Sequence, residues 1–124
     1  MSELLLLDVA DGVATITLND PKRRNIVSAG LNAAINTAMD DLEHRDDVGA
    51  IVVTGAAPAF CAGADLDDLA ACDSEEKLRA IYSGFLRLAE TPLPTVAAVN
   101  GAAVGAGLNL ALACDVILAG TSAR

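Results

Sequence analysis

The sequence predicts an α/β fold in which parallel strands alternate with helices after one opening hairpin. Three observations support this. Runs of β-type residues recur along the 124-residue chain, stretches with apolar residues at helical spacing lie between them, and two strands lead through glycine-rich turns into helices. Hydrophobic residues make up 53% of the chain and charged residues 20%. This composition excludes a disordered chain.

A β-hairpin is predicted at the start of the chain. The β-type runs Leu4–Val9 and Val13–Leu18 are separated by Asp11 and Gly12, a pair typical of tight hairpin turns. The second strand ends at the polar run 19–21. A basic loop, Lys22–Asn25, follows it.

Three helices are predicted with defined ends. The first runs from near Ser28 to about His44, because apolar residues recur at i, i+3, i+4, i+7 and i+11. The second begins at Ser74, an N-cap residue followed by acidic residues, and continues as one helix until just before Pro92. The third is the short segment Gly105–Ala113.

Three further strands are predicted between and after these helices. Ala50–Thr54 and Thr95–Val99 are continuous apolar runs of the kind that parallel sheets bury on both faces. Asp115–Ala119 begins another strand, and Ala56–Gly63 is predicted to be loop.

The composition argues against several classes of function. The net charge is −9 and aromatic residues make up 2%, so neither phosphate attraction nor base stacking favours a nucleic-acid partner. Three cysteines without a CxxC pair, and a single histidine (His44), argue against a metal site. The cysteine content and an N-terminus without a secretory signal predict a cytoplasmic protein.

The apolar stretch Val96–Ala119 has to be considered as a membrane span. Asn100, Asn109 and Asp115 interrupt it, and an Asp near the centre of a span costs about 2.5–3.5 kcal/mol. No basic residue lies close to either end. We therefore expect no membrane insertion.

Two glycine-rich segments, Phe60–Leu66 and Val99–Leu110, form the candidate functional site. Each follows a predicted strand and leads into a helix. Glycines permit close backbone approach, and free N–H groups at a helix N-terminus bind phosphate or an oxyanion. The same glycines can serve only the packing of helix on strand, so spacing alone leaves both interpretations open. Asp65 stands where a helix should begin and is predicted to be its N-cap.

These segments resemble the two signatures of the enoyl-CoA hydratase/isomerase, or crotonase, family. The matching runs are Ala59–Leu66 and Ala98–Asp115, and the loop Asn19–Asn25 is similar to a third, weaker one. The resemblance implies a crotonase-like spiral of β-β-α units that is truncated at the C-terminus. Residues 1–124 would then be the N-terminal part of a single domain.

The resemblance also implies an acyl-CoA thioester as substrate and a backbone oxyanion hole. The N–H groups of Ala64 and Ala106 would stabilise the thioester enolate, with coenzyme A as part of the substrate and no separate cofactor. The basic loop would hold the coenzyme A phosphates through Lys22, Arg23 and Arg24, unless it is only a solvated surface. The other substrate-binding positions implied are Ala62, Gly63, Asp65, Leu66 and Gly105.

Asn109 departs from the family's pattern. The matching position in the family's hydratases carries a catalytic glutamate, and an amide cannot act as a general base at neutral pH. Asn109 can still hydrogen-bond a water or the substrate. The family's second glutamate would lie beyond Arg124, which places complete hydration chemistry in question.

The predicted function is an acyl-CoA enzyme of the hydratase/isomerase type in fatty-acid metabolism such as β-oxidation. A homotrimer or hexamer is expected for a full-length form. The alternative is a non-catalytic chain that binds acyl-CoA or another partner, since the proton-transfer residues are missing.

Three other interpretations have less support. The run 100–107 has the glycine spacing of a short-chain dehydrogenase loop but does not open the fold. Asp65, Asp67 and Glu76 match positions of a calcium loop that lacks its central ligand and glycine. Cys61 has no histidine near it in sequence, so it is predicted to be a small buried residue rather than a nucleophile.

Overall fold

The computed structural model describes residues 3–124, a range that holds seven strands, five α-helices and one 3-10 helix. In chain order they are β1 (Leu5–Ala10), β2 (Val13–Leu18), the 3-10 helix (Pro21–Arg23), α1 (Ala29–Leu42), β3 (Ala50–Gly55), β4 (Ala59–Cys61), α2 (Leu66–Ala70), α3 (Glu75–Ile81), α4 (Ser83–Glu90), β5 (Thr95–Val99), β6 (Ala102–Ala103), α5 (Ala106–Ala113) and β7 (Val116–Ala119).

The main sheet has five strands in the order β1-β2-β3-β5-β7. β1 and β2 pair antiparallel, and each later pair of neighbours is parallel. The register sets Ile16 beside Val53 and Val53 beside Ala97. This topology confirms the predicted α/β class, the opening hairpin and the parallel strands that follow it.

The hydrophobic core lies between the main sheet and three helices. Buried side chains from β2, β3 and β5 form one cluster with those of α1, α4 and α5. On α1 the buried positions include Leu31, Ile35, Ala38 and Leu42, as the helical spacing of apolar residues predicts. The helix begins as predicted, because the Ser28 hydroxyl accepts a hydrogen bond from the Leu31 N–H. It ends at Leu42, two residues before the predicted end.

A small second sheet lies outside the main one and joins the two glycine-rich segments. β4 pairs in parallel with β6, with Ala59 opposite Ala102 and Cys61 opposite Ala103. The prediction of loop across 56–63 is therefore wrong for residues 59–61. Strands of three and two residues are too short to show a period of two, and their pairing depends on a partner some forty residues away.

The prediction of one continuous helix between Ser74 and Pro92 is also wrong. The helix breaks at Tyr82, whose φ of −101° and ψ of 6° leave the helical region. Asn32 of α1 satisfies the interrupted backbone: its Nδ2 donates to the Ala80 carbonyl at 2.7 Å, and its Oδ1 accepts from the Gly84 N–H at 2.6 Å. A side chain from another helix thus stabilises the break, and helical periodicity within 74–92 carries no sign of it.

The apolar stretch 96–119 forms two strands of the main sheet, the short strand β6 and the eight-residue helix α5. Within residues 3–124, no helix is both long and apolar enough to span a membrane. All four residues of β7, at one edge of the main sheet, are exposed.

α5 packs directly against the backbone of β4 at Gly107. A Cβ at this position would lie 1.8 Å from the Cys61 carbonyl oxygen. That carbonyl also accepts a hydrogen bond from the Val104 N–H at 3.1 Å. The two glycine-rich segments are therefore in backbone contact, and only glycine fits at position 107.

We expect the substitution Gly107→Ala to destabilise the fold by at least about 3 kcal/mol, because the added methyl must displace backbone rather than a mobile side chain. Alanine is the better helix former by about 1 kcal/mol, so a net loss isolates the clash. Urea unfolding measures it. Gly49→Ala is the matched control, since its nearest atom is the Gly12 carbonyl oxygen at 3.8 Å. Equal stability of the two variants would refute the close contact.

Candidate functional site

The two glycine-rich segments meet at a cleft of about 730 Å³. Eight of its lining residues belong to the predicted site: Arg23, Ala62, Gly63, Ala64, Asp65, Leu66, Gly105 and Ala106. Four lining residues were not predicted: Ile26, Asp67, Leu69 and Tyr82. Lys22, Arg24 and Asn109 do not line it. The structure thus brings together most, but not all, of the residues that the sequence suggested.

The N–H group of Ala64 is free within the described part of the chain. Its neighbours are held by Val27: the Val27 N–H donates to the Gly63 carbonyl at 2.7 Å, and the Asp65 N–H donates to the Val27 carbonyl at 3.2 Å. Ala64 lies between these two bonds, and the φ of +136° at Gly63 sets its orientation. The unpaired N–H is therefore available to a ligand.

Within residues 3–124 the N–H group of Ala106 is also free, but for a different reason. Ala106 is the first residue of α5, and the first N–H groups of a helix have no partner inside it. Gly105 precedes it with a φ of +55°, a conformation that favours glycine. The Gly105 carbonyl accepts from the Asn109 N–H at 3.1 Å, and this bond closes the first turn of the helix. The Ala106 N–H has no partner within residues 3–124.

Asn25 connects the basic loop to the segment that carries Ala64. It is completely buried, with a φ of +58° that asparagine tolerates better than most residues. Its Nδ2 donates to the carbonyls of Ala56 and Ala59, both at 2.9 Å, and its Oδ1 accepts from the Asp20 N–H at 2.8 Å. From the sequence, Asn25 is predicted to end the basic loop, with no structural role of its own. We call Asn25 a polar hub, because its one buried side chain bonds several backbone groups. Such a residue has no local periodicity by which it could be recognised in the sequence.

Asp65 is the N-cap of α2, as predicted. Its Oδ1 accepts from the N–H groups of Asp67 and Asp68 at 2.9 and 3.3 Å. Its Oδ2 lies 2.5 Å from Nη2 of Arg23. This hydrogen bond lowers the pKa of the Asp65 carboxyl and raises the pKa of the Arg23 guanidinium, so both are charged at neutral pH.

The three basic residues of the loop do not share one environment. Lys22 and Arg24 are exposed, and within residues 3–124 neither side chain forms a hydrogen bond or an ion pair. Arg23 is paired with Asp65 and has Asp20 4.0 Å from its Nη1. The three therefore cannot be treated as one group of free cations.

Asn109 lies on an exposed face of α5, one turn after Ala106. Its side-chain amide has no hydrogen-bond partner in the described range. The position remains the predicted location of a catalytic group, but the side chain does not contribute to the cleft wall.

Cys61 is buried, as predicted, and burial raises the pKa of its thiol. A raised pKa keeps the thiol protonated and weakly nucleophilic. Across the described residues, no group of three or more His, Cys, Asp or Glu side chains could hold a metal ion.

The fold and the cleft define an α/β protein whose candidate site is lined by two glycine-rich turns. A family model described as "Enoyl-CoA hydratase/isomerase" matches residues 8–124. The chain belongs to this family, as its resemblance to the family's signatures predicts.

Curated relatives and solved structures agree with this assignment. A Mycobacterium tuberculosis protein named "Probable enoyl-CoA hydratase" is 53% identical over 96% of this chain and 48% of its own length. The 1,2-epoxyphenylacetyl-CoA isomerase of Escherichia coli is 37% identical, and the match covers 100% of this chain and 50% of the relative. An enoyl-CoA hydratase structure from Mycobacterium smegmatis aligns with a TM-score of 0.87 at 35% identity, over 98% of this chain and 49% of that one. The chain thus spans about half the length of the relatives it matches.

We expect Asn25→Ala to destabilise the protein by about 3 kcal/mol, because it leaves buried carbonyl groups without a donor and places alanine at positive φ. Chemical unfolding at neutral pH measures this loss. Asn36→Ala is the matched control: its half-buried side chain donates to the Ser83 hydroxyl at 2.9 Å, so its loss costs about 1 kcal/mol. A cost for Asn25→Ala no larger than the control's would mean that the hub contributes little.

Proposed function

We propose that this chain carries the carbonyl-polarising part of an acyl-CoA site and acts in chemistry of the enoyl-CoA hydratase/isomerase type. One observation carries the proposal: the N–H groups of Ala64 and Ala106 are both unpaired within residues 3–124, and both residues line the same cleft. A thioester oxygen that accepts from both donors gains negative charge as an enolate forms. Fixed donors stabilise that charge without reorganising during the reaction.

Helix α5 strengthens one of the two donors. Ala106 stands at its N-terminus, where the aligned peptide dipoles place a partial positive charge. Negative charge that develops on the thioester oxygen is stabilised there. Because both donors are main-chain N–H groups, neither of them titrates near neutral pH.

The cleft offers different surfaces to the two ends of an acyl-CoA. Ile26, Leu69 and Tyr82 provide apolar area suited to an acyl chain. Lys22 and Arg24 lie near the cleft on the basic loop and present positive charge to the phosphates of coenzyme A. This charge is local, since the chain as a whole carries −9.

The family's name includes both hydration and isomerisation, and one relative is named as an isomerase. Both reactions use an enolate-type intermediate, so a shared carbonyl-polarising pair fits either. Asn109 favours chemistry in which this position does not act as a base. A cytoplasmic, fatty-acid-related role and a trimeric or hexameric assembly remain part of the proposal, as does the alternative of acyl-CoA binding without turnover.

We expect Ala106→Pro to weaken thioester binding about twofold to tenfold, because proline removes one N–H donor. Proline is well tolerated at the first position of a helix, so the fold should survive. The experiment titrates the chain with acyl-CoA labelled with carbon-13 at the thioester carbonyl and follows the carbonyl resonance. Ala106→Gly keeps the donor and serves as the control. Equal carbonyl shifts in the proline variant and wild type would reject Ala106 as a donor.

The 124-residue chain should not hydrate a short enoyl-CoA at a measurable rate, since the amide of Asn109 cannot remove a proton from water at neutral pH. Loss of the ultraviolet absorbance of the conjugated thioester measures the rate. Asn109→Glu restores a carboxylate at this position, and a gain in rate would assign the defect to the amide. A wild-type rate close to that of a full-length family hydratase would contradict the prediction.

A further inference from the structure

We infer that Arg23 and Asp65 are a positioning pair that fixes the orientation of the Ala64 N–H, and that Arg23 differs in this from Lys22 and Arg24. The inference deepens the proposed function and rests on it. In this inference Lys22 and Arg24, the two cations that flank Arg23 in the basic loop, bind the phosphates of coenzyme A. The third acts through Asp65 on the carbonyl-binding donor.

The basic loop is attached to the Ala64 segment on both sides of that residue. Before it, the Ala62 N–H donates to the Arg24 carbonyl at 3.0 Å. After it, the Arg23 guanidinium binds the carboxylate of Asp65. Ala64 is thus held between two contacts made by consecutive residues of one loop, while its own N–H has no partner within residues 3–124.

Asp65 transmits the position of Arg23 to the backbone because both of its carboxylate oxygens are engaged. Oδ2 binds Arg23, and Oδ1 accepts the N–H groups of Asp67 and Asp68. Asp65 directly follows Ala64, and its own N–H is bonded to Val27. If Arg23 is removed, Oδ1 still accepts the N–H groups of Asp67 and Asp68, but Oδ2 loses its partner. The segment around Ala64 then loses one of its constraints.

The charge on Arg23 is already compensated, which separates it from its neighbours. Its partner Asp65 is 2.5 Å away, Asp20 is 4.0 Å from its Nη1, and the negative charge of Asp68 in α2 also acts on it. A pair of opposite charges attracts a distant phosphate much less than a free cation does. Lys22 and Arg24 have no such partner in the described range, so their charges attract a phosphate without this compensation.

The first test does not require a ligand. We would record amide resonances of the nitrogen-15-labelled chain for wild type, Arg23→Gln, Arg23→Lys, Lys22→Gln and Arg79→Gln. Arg79→Gln is the matched control, because it removes an arginine from an exposed ion pair with Glu75 outside the cleft. Arg23→Gln should shift the amides of Ala64, Asp67 and Asp68, Arg23→Lys should restore much of the pattern, and the other two should leave these amides unchanged. Unchanged Ala64, Asp67 and Asp68 amides in Arg23→Gln would overturn the inference.

The pH dependence supplies a readout that simple loosening of the fold would not produce. The pKa of Asp65 is held low by Arg23, so the positioning contact is present at neutral pH and is lost as the pH falls through that pKa. In Arg23→Gln the pKa of Asp65 rises, so the hydrogen bonds from the Asp67 and Asp68 N–H groups to its carboxylate weaken at a higher pH than in wild type. An acid transition of the Asp67 and Asp68 amides at the same pH in wild type and Arg23→Gln would contradict this.

The second test uses two thioesters that share an acyl group: acyl-CoA and the phosphate-free N-acetylcysteamine thioester. Arg23→Gln should weaken both about twofold to fivefold, the range expected for a half-exposed ion pair. Lys22→Gln and Arg24→Gln should weaken only acyl-CoA and should reduce its salt dependence. If Arg23→Gln weakens acyl-CoA alone, Arg23 is a phosphate contact and the inference fails.

The two tests also separate this inference from the proposed function. If the wild-type chain binds neither thioester, the proposed function fails, while the amide shifts still report whether the pair positions Ala64. If both thioesters bind but Arg23→Gln changes neither the affinity nor the Ala64 amide, the site stands and the positioning role is rejected.

Discussion

The carbonyl oxygen of Cys61 occupies the space where a side chain at position 107 would begin, and the rest of the cleft depends on this contact. The absence of a Cβ lets α5 lie against the backbone of β4. That contact sets the first turn of α5 beside the turn that follows β4. Ala64 and Ala106, whose N–H groups are unpaired within residues 3–124, consequently line one cleft although they lie 42 positions apart in the chain.

A second constraint holds the turn after β4 from the opposite direction. The uncharged, buried side chain of Asn25 donates to the carbonyls of Ala56 and Ala59. The backbone of Val27 forms hydrogen bonds with the residues before and after Ala64. The basic loop is therefore part of the wall of the site as well as a charged surface. Buried polar groups that are fully bonded in this way favour a single arrangement, because each alternative leaves a donor or acceptor unpaired.

Much of this architecture could be predicted from the sequence, because it rests on local signals. The hairpin follows from Asp11 and Gly12, α1 from the spacing of its apolar residues, and the cap of α2 from Asp65. The short strand β4, the helix break at Tyr82 and the hub at Asn25 could not be predicted in this way. Each depends on a partner distant in sequence, and neither periodicity nor residue preference records such a partner. Only the resemblance to the family pointed to Ala64 and Ala106, because their alanine side chains carry no chemical signal of their own.

The proposed use of main-chain donors has a consequence for how such a site is inherited. A substitution at position 64 or 106 that leaves the backbone unchanged also leaves the donor in place. Natural selection therefore acts at these two positions mainly on the size and fit of the side chain. The strict requirements fall on Gly63, Gly105, Gly107 and Asn25, which supply unusual dihedrals, close contacts or buried hydrogen bonds. Sequence drift should therefore be slowest at residues that support the donors and faster at the donors themselves.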